Sequence, residues 1–235
     1  MSKTETEHGV SGESRGTAEQ GAGEICVLGR GKTWIAVIKP AGISSEADGM
    51  GGRIAEALHL PAESVYTVHR LDREVGGVMV YALTKKAAAF LSQAAAERSM
   101  RKIYLARVMG IPEDPEGLWE DLLFHDRTKN KTYVVNRDRR GVKPARLSYR
   151  VLRILSETPR ESLLEIALET GRTHQIRVQC AHRGLPLRGD RRYGGKGPDG
   201  PCLFAWKLSF PDPDTGGEKS FTAPLPEWAD QRTCS

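Results

Sequence analysis

The chain has 235 residues, 39% of them hydrophobic, and a net charge of +5, enough to bury a sizeable core in one domain or two. Its longest apolar runs, such as residues 77–83, fall far short of the roughly 18 residues a membrane span requires, and no basic-then-apolar leader opens it. Cys26, Cys180, Cys202 and Cys234 form no C-x-x-C pair, which speaks against a zinc knuckle or a disulfide framework and for a soluble protein of the reducing cytoplasm, without a metal.

The charge is unevenly spread. Residues 1–24 carry five Glu against Lys3 and Arg15, a segment charge of −3 that leaves +8 for the remainder. Almost no large apolar side chain interrupts those 24 residues, so they cannot bury enough surface to offset their ordering entropy, and a disordered acidic tail is expected. The basic remainder is the composition of a polyanion-binding protein, because Lys and Arg that neutralise phosphates release condensed counterions.

From residue 25 the elements follow one another closely. Trp34-Ile35-Ala36-Val37-Ile38-Lys39 reads as a strand stopped by Pro40 and the Ala41-Gly42 turn. Further strands are predicted over 65–70, 78–83, 104–108, 132–135, 145–155, 163–169 and 203–210, several with period-two alternation. A helix is predicted from Lys85 to about Met100, capped by Thr84 and built on alanine, and a second over 173–182, stopped by Gly184 with Pro186 beyond. Helices inserted among mostly consecutive strands favour an α+β domain around a mixed, largely antiparallel sheet over a doubly wound one.

Two polar segments stand out. His69-Arg70-Leu71-Asp72-Arg73 lies between two apolar strands, which places Asp72 on a sheet-backed loop. Thr170-Gly171-Arg172-Thr173-His174-Gln175-Ile176-Arg177 joins a strand end to a helix start. Taken singly, Asp72 reads as a turn acceptor, Arg172 as a surface ion pair and His174 as a hydrogen-bonded helix residue.

Taken together, the strings from Ile35 to Trp228 resemble the RluA-like RNA pseudouridine synthases. They are Lys39-Pro40-Ala41-Gly42, His69-Arg70-Leu71-Asp72, Lys102-Ile103-Tyr104-Leu105-Ala106, Lys143-Pro144-Ala145, residues 171–178, Gly189-Asp190-Arg191-Arg192-Tyr193-Gly194 and Phe221-Thr222-Ala223-Pro224, in the family's order. The resemblance implies a pseudouridine synthase fold with a central active-site cleft, here as a single catalytic domain over 25–235 with no separate N-terminal RNA-binding domain. It implies isomerisation of uridine in structured RNA, ribosomal or transfer, by a monomer without a cofactor. Asp72 is then the catalytic carboxylate, attacking the uracil ring or the ribose anomeric carbon. Arg172 is implied to lie against it, where a guanidinium lowers a carboxyl pKa by roughly 1–3. Tyr104 would stack on the base and help remove the carbon 5 proton. Ile176 would wall the pocket, and Arg70, with His69 and Arg73 beside it, would contact RNA and replace the flipped nucleotide, whose extrusion costs about a few kcal/mol.

Three positions depart from the family: Val75-Gly76-Gly77 where relatives have Thr-Ser-Gly, Gln179 where His is common, and Phe204-Ala205 for His-Ala. The first removes two hydroxyls that could brace the catalytic loop. An RNA-binding protein that keeps the fold without the reaction, and a hydrolase of the same glycosidic bond, are the other classes these residues allow. Gly31-Lys32-Thr33 is not a phosphate-binding loop, since Cys26 stands where the first Gly is needed. No H-x-E with a downstream P-C-x-x-C supports a zinc deaminase.

Overall fold

The computed structural model describes residues 25–197 and 200–230; the expected acidic tail, 1–24, and Cys234 lie outside them. The strand predicted from Trp34 is β2 (Trp34–Lys39), preceded by β1 (Cys26–Arg30) and paired antiparallel with β4 (Gly76–Ala82). Every residue of β4 is buried, because the two faces of this part of the sheet are both covered. Ile35, Val37, Met79 and Tyr81 point to one core layer, and Trp34, Ala36, Val78, Val80 and Ala82 to another.

The first layer is closed by α1 (Met50–Ala57), through Met50, Ile54 and Ala55, and by α3 (Gln175–His182), through Ile176 and Cys180. The second is closed by α2 (Lys85–Ala96), through Ala87 and Leu91. Thr84 caps α2 as predicted, its hydroxyl accepting the Ala87 N–H at 3.2 Å. The helix ends four residues before Met100, where Arg98 turns left-handed at φ 62°.

Beyond β3 (Tyr66–Thr67) the chain continues as β5 (Arg101–Met109), β6 (Glu116–Asp126), β7 (Lys131–Val135), β8 (Val142–Glu157), β9 (Arg160–Leu168), β10 (Leu203–Pro211) and β11 (Glu218–Thr222). Among the described residues these make one sheet ordered β1-β2-β4-β10-β5-β9-β8-β6-β7, with β11 on β10 and β3 on β4. All pairings are antiparallel except β10 with β4, so the expected α+β architecture with a mixed, largely antiparallel sheet is what the chain forms. At that parallel junction Gly77 has φ +128°, and a Cβ there would run into the Ala205 backbone. No helix among the described residues is long and apolar enough to cross a membrane.

Candidate active site

The strand predicted over 65–70 is cut short at Thr67, and residues 68–75 form a loop that delivers Asp72 to the mouth of β4. Several bonds brace this loop without the absent hydroxyls. Ser45 spans Leu71, accepting its N–H and donating to its carbonyl, at 3.2 and 3.0 Å. The Val75 N–H reaches the Asp72 carbonyl at 2.9 Å, and the Val75 side chain sits in the core. Arg73 donates through Nε to the Gly42 carbonyl at 2.8 Å, while Gly42 N–H returns a 2.7 Å bond to the Arg73 carbonyl. Beneath them the buried Lys39 ammonium donates to the carbonyls of Pro40, Ile43 and Arg73, and burial, opposed by the Asp72 charge, brings its pKa down to about 8.

Asp72 opens onto a cleft of about 990 Å³ between this loop, β5 and the turn into α3. The guanidinium that meets it belongs to Arg177, not to Arg172. Arg177 Nη1 donates to Asp72 Oδ2 at 3.1 Å, while Nε and Nη2 fork onto Asp190 at 2.7 and 2.8 Å. Nη2 also lies 3.0 Å from Glu74. The Arg177 side chain is 2% exposed and that of Asp190 is fully buried, so the arginine is fixed from behind and presents Nη1 to Asp72. Burial works against its charge, but the bonds and charge of Asp190, with Asp72 adding, raise its pKa. Asp72 lines this cleft, and among the described residues its Oδ1 accepts no hydrogen bond.

Arg172 lines the same cleft but turns away: its Nε donates to the Pro144 carbonyl at 3.0 Å and its backbone N–H to Gln175 Oε1 at 3.0 Å. The physical reason lies in the start of α3. Helix geometry begins only at Gln175, after His174 adopts the left-handed φ of 54°, so Arg172 remains in the turn while Arg177 is carried into the interior. Both arginines stand in one string of the sequence. The distinguishing signal was position: an arginine inside a short helix flanked by buried residues needs an internal carboxylate, and the Gly189-Asp190 string supplies it.

His174 also faces Asp72. Its Nε2 lies 3.8 Å from Asp72 Oδ2, and its Nδ1 is 2.9 Å from the Tyr193 hydroxyl, which itself accepts the Thr132 N–H at 2.8 Å. Tyr193 thus joins the His174 ring to β7 on the side away from Asp72. Burial lowers the His174 pKa against the pull of Asp72, with Arg177 helping to lower it.

Tyr104, on β5, lines the cleft at 6% exposure, and its hydroxyl has no partner among the described residues. Burial, reinforced by the Asp72 charge, raises its pKa, so the side chain is a neutral phenol at pH 7. Ile176 contributes a buried apolar wall. Arg70 stands at the mouth, two-thirds exposed and 3.6 Å from Glu46. His69 faces inward instead of toward bulk solvent: its Nε2 accepts the Val80 N–H at 3.1 Å, and burial, then Lys102, lowers its pKa well below the usual range. It joins the loop to β4. Gln179 ties α3 to β6 through Asp121 at 2.7 Å, and Phe204 packs with the second core layer, so neither departure touches Asp72.

The family described as RNA pseudouridylate synthase matches residues 33–182, more than half of the chain. The chain belongs to that family. It is 39% identical over 163 residues to an uncharacterized RNA pseudouridine synthase of Chloroflexus aurantiacus, covering 68% of this chain and 49% of that protein. It is 36% identical over 224 residues to a ribosomal large subunit pseudouridine synthase D of Neisseria meningitidis, covering 83% and 56%. The chain thus spans about half the length of these relatives. Among solved structures, Human RNA Pseudouridylate Synthase Domain Containing 1 superposes with a TM-score of 0.74 at 23% identity, covering 89% of this chain and 87% of that one, a likeness of fold.

Proposed function

We propose that this protein isomerises uridine to pseudouridine in structured RNA, ribosomal RNA first among candidates, with Asp72 as the catalytic carboxylate. The observation that carries the reading is Asp72 itself: one oxygen is tied to a buried arginine, the other accepts no hydrogen bond among the described residues, and the side chain lines a cleft with Tyr104 and Ile176. Oδ1 attacks the ribose anomeric carbon as the glycosidic bond breaks, or adds to carbon 6 of the ring. In either case the reaction divides into two steps around a covalent adduct. The released base turns within the cleft, carbon 5 bonds to the sugar, the carboxylate leaves, and the carbon 5 proton departs. Nitrogen 1 ends protonated, so no atom is gained or lost overall.

The residues around Asp72 suit these steps. Arg177 Nη1 holds and directs the carboxylate, and His174 Nε2 faces the same oxygen. A neutral Tyr104 stacks under the base and relays a proton through its own hydroxyl instead of acting as a phenolate. Arg70, exposed at the mouth, occupies the space the extruded nucleotide vacates, and Arg73 faces the backbone. Residues 25–235 act as one catalytic domain, as a monomer in the cytoplasm; the exposed large apolar side chains, such as Val27, Phe90 and Leu225, are scattered over separate elements.

The test is to incubate the purified full chain with total cellular RNA and map pseudouridine. New pseudouridine at defined positions is the expected result. Free uracil would show a hydrolase, and RNA bound without isomerisation would show a binding protein.

A further inference from the structure

Six cationic side chains line the cleft: Arg70, Arg73, Lys102, Arg172, Arg177 and Arg192. Five are committed. Arg70 faces Glu46, Arg73 and Arg172 hold the Gly42 and Pro144 carbonyls, Arg192 holds the Asn130 carbonyl at 3.0 Å, and Arg177 holds its carboxylates. Lys102 alone has neither a hydrogen bond nor a carboxylate within 4.0 Å among the described residues.

Its placement follows from β5. Lys102 precedes Tyr104 by two residues, so both side chains leave the same face of the strand, and both line the cleft. The neighbouring His69 cannot serve as an acceptor for it. Val80 N–H occupies His69 Nε2, so the ring hydrogen sits on Nδ1, which has no partner of its own. The partly buried Lys102 ammonium, whose pKa burial lowers, therefore finds no acceptor in His69 and is uncompensated until an anion arrives.

We propose that Lys102 receives the phosphodiester group of the nucleotide that enters the cleft, while Tyr104 takes its base. A uridine nucleotide offers only neutral carbonyls on its ring, and its one anionic group is the phosphate. Two strand residues separate the positions by about 7 Å, comparable to the span of a nucleotide from base to phosphate. An ammonium is a point charge without a planar fork, suited to a backbone oxygen whose orientation varies. The inference rests on the isomerase reading above and adds to it a reason why a nucleotide within RNA is preferred to free uridine.

The test uses the full chain labelled with carbon-13 at the lysine ε position, with the Lys102 resonance identified by its loss in Lys102→Arg. Its titration is followed alone, with uridine 3′,5′-bisphosphate and with uridine. An opposite charge in contact favours the protonated amine, so the bisphosphate should raise the Lys102 pKa by about 1 and uridine should leave it in place. In RNA turnover, Lys102→Gln should raise KM on the order of tenfold, the loss of one charge-assisted contact, with Lys102→Arg restoring most of it. A Lys102 titration unmoved by the bisphosphate, or moved equally by uridine, overturns the proposal. Because the resonance reports contact and not turnover, protein inactive on RNA whose Lys102 still responds to the bisphosphate would sink the isomerase reading alone.

Discussion

Replacing Arg177 by lysine separates what holds Asp72 from what merely surrounds it. The guanidinium makes three charge-assisted bonds, two to Asp190 and one to Asp72; an ammonium in its place keeps the charge but can retain only one of them in good geometry. Asp190 should keep that one. Its side chain is fully buried and that of Asp72 is 25% exposed, so leaving Asp190 unpaired is the costlier outcome. Asp72 is then released. One bond to a charged group is worth about 1.5–3 kcal/mol, which, felt in the transition state, lowers kcat/KM roughly 10- to 150-fold. Arg172→Lys, by contrast, gives up a bond to a neutral, partly exposed carbonyl worth about 1 kcal/mol or less and should cost fivefold at most. Tritium release from RNA carrying 5-tritiated uridine measures both variants, with urea unfolding alongside to correct for lost stability. If Arg172→Lys is the more damaging of the two, the assignment of Arg177 as the partner of Asp72 is wrong.

Tyr104→Phe keeps the ring and removes a hydroxyl that no described residue holds, so its thermal midpoint should match the parent while turnover falls on the order of 100-fold; a lowered midpoint would mean that the hydroxyl supports the fold. His69 is held neutral in the folded protein, with a pKa depressed below its unfolded value. Its contribution to stability is therefore present above about 6.5 and is lost as pH falls below that. Urea unfolding between pH 7 and pH 5 should show proton uptake on unfolding, and His69→Gln, which keeps an acceptor for Val80 N–H, should flatten the slope; an unchanged slope would contradict the account. Gly77→Ala forces a side chain into φ +128° against the Ala205 backbone, at roughly 1–3 kcal/mol for strain and a similar amount for overpacking. Denaturant titration should register the loss, and full stability would show that the parallel β4–β10 junction can shift.

How much of this could be read beforehand depended on where the physical signal lay. Residues 34–38 are apolar throughout because both faces of β2 are covered, and Thr84, followed two residues later by alanines, is a local helix signal that nothing tertiary overrides. Helix α1 escaped notice because Gly51 and Gly52 depress its propensity; it is held by Met50, Ile54 and Ala55 in the core, a long-range effect. The stretch over 65–70 has strand composition, yet only two residues pair, since His69 and Ser45 redirect the loop with side-chain bonds. At the site, Asp72, Tyr104 and Ile176 stand together on one cleft, as their strings suggested. Arg177 and His174 were written in the same string as Arg172, but their roles depend on Asp190 and Tyr193, which no spacing along the chain brings near. Val75-Gly76 looked like a loss of bracing because the hydroxyls are visible in sequence, whereas the backbone bonds that replace them are not.

The most direct measurement is Asp72→Asn, assayed for pseudouridine at one position that the parent protein modifies, with RNA affinity measured in parallel. The side chain keeps its size and its place on the loop while losing the charge and the nucleophilic oxygen. RNA should bind as before, and pseudouridine at that position should fall to the level found without enzyme. An asparagine variant that still converts the uridine would remove the carboxylate from the chemistry and the account with it.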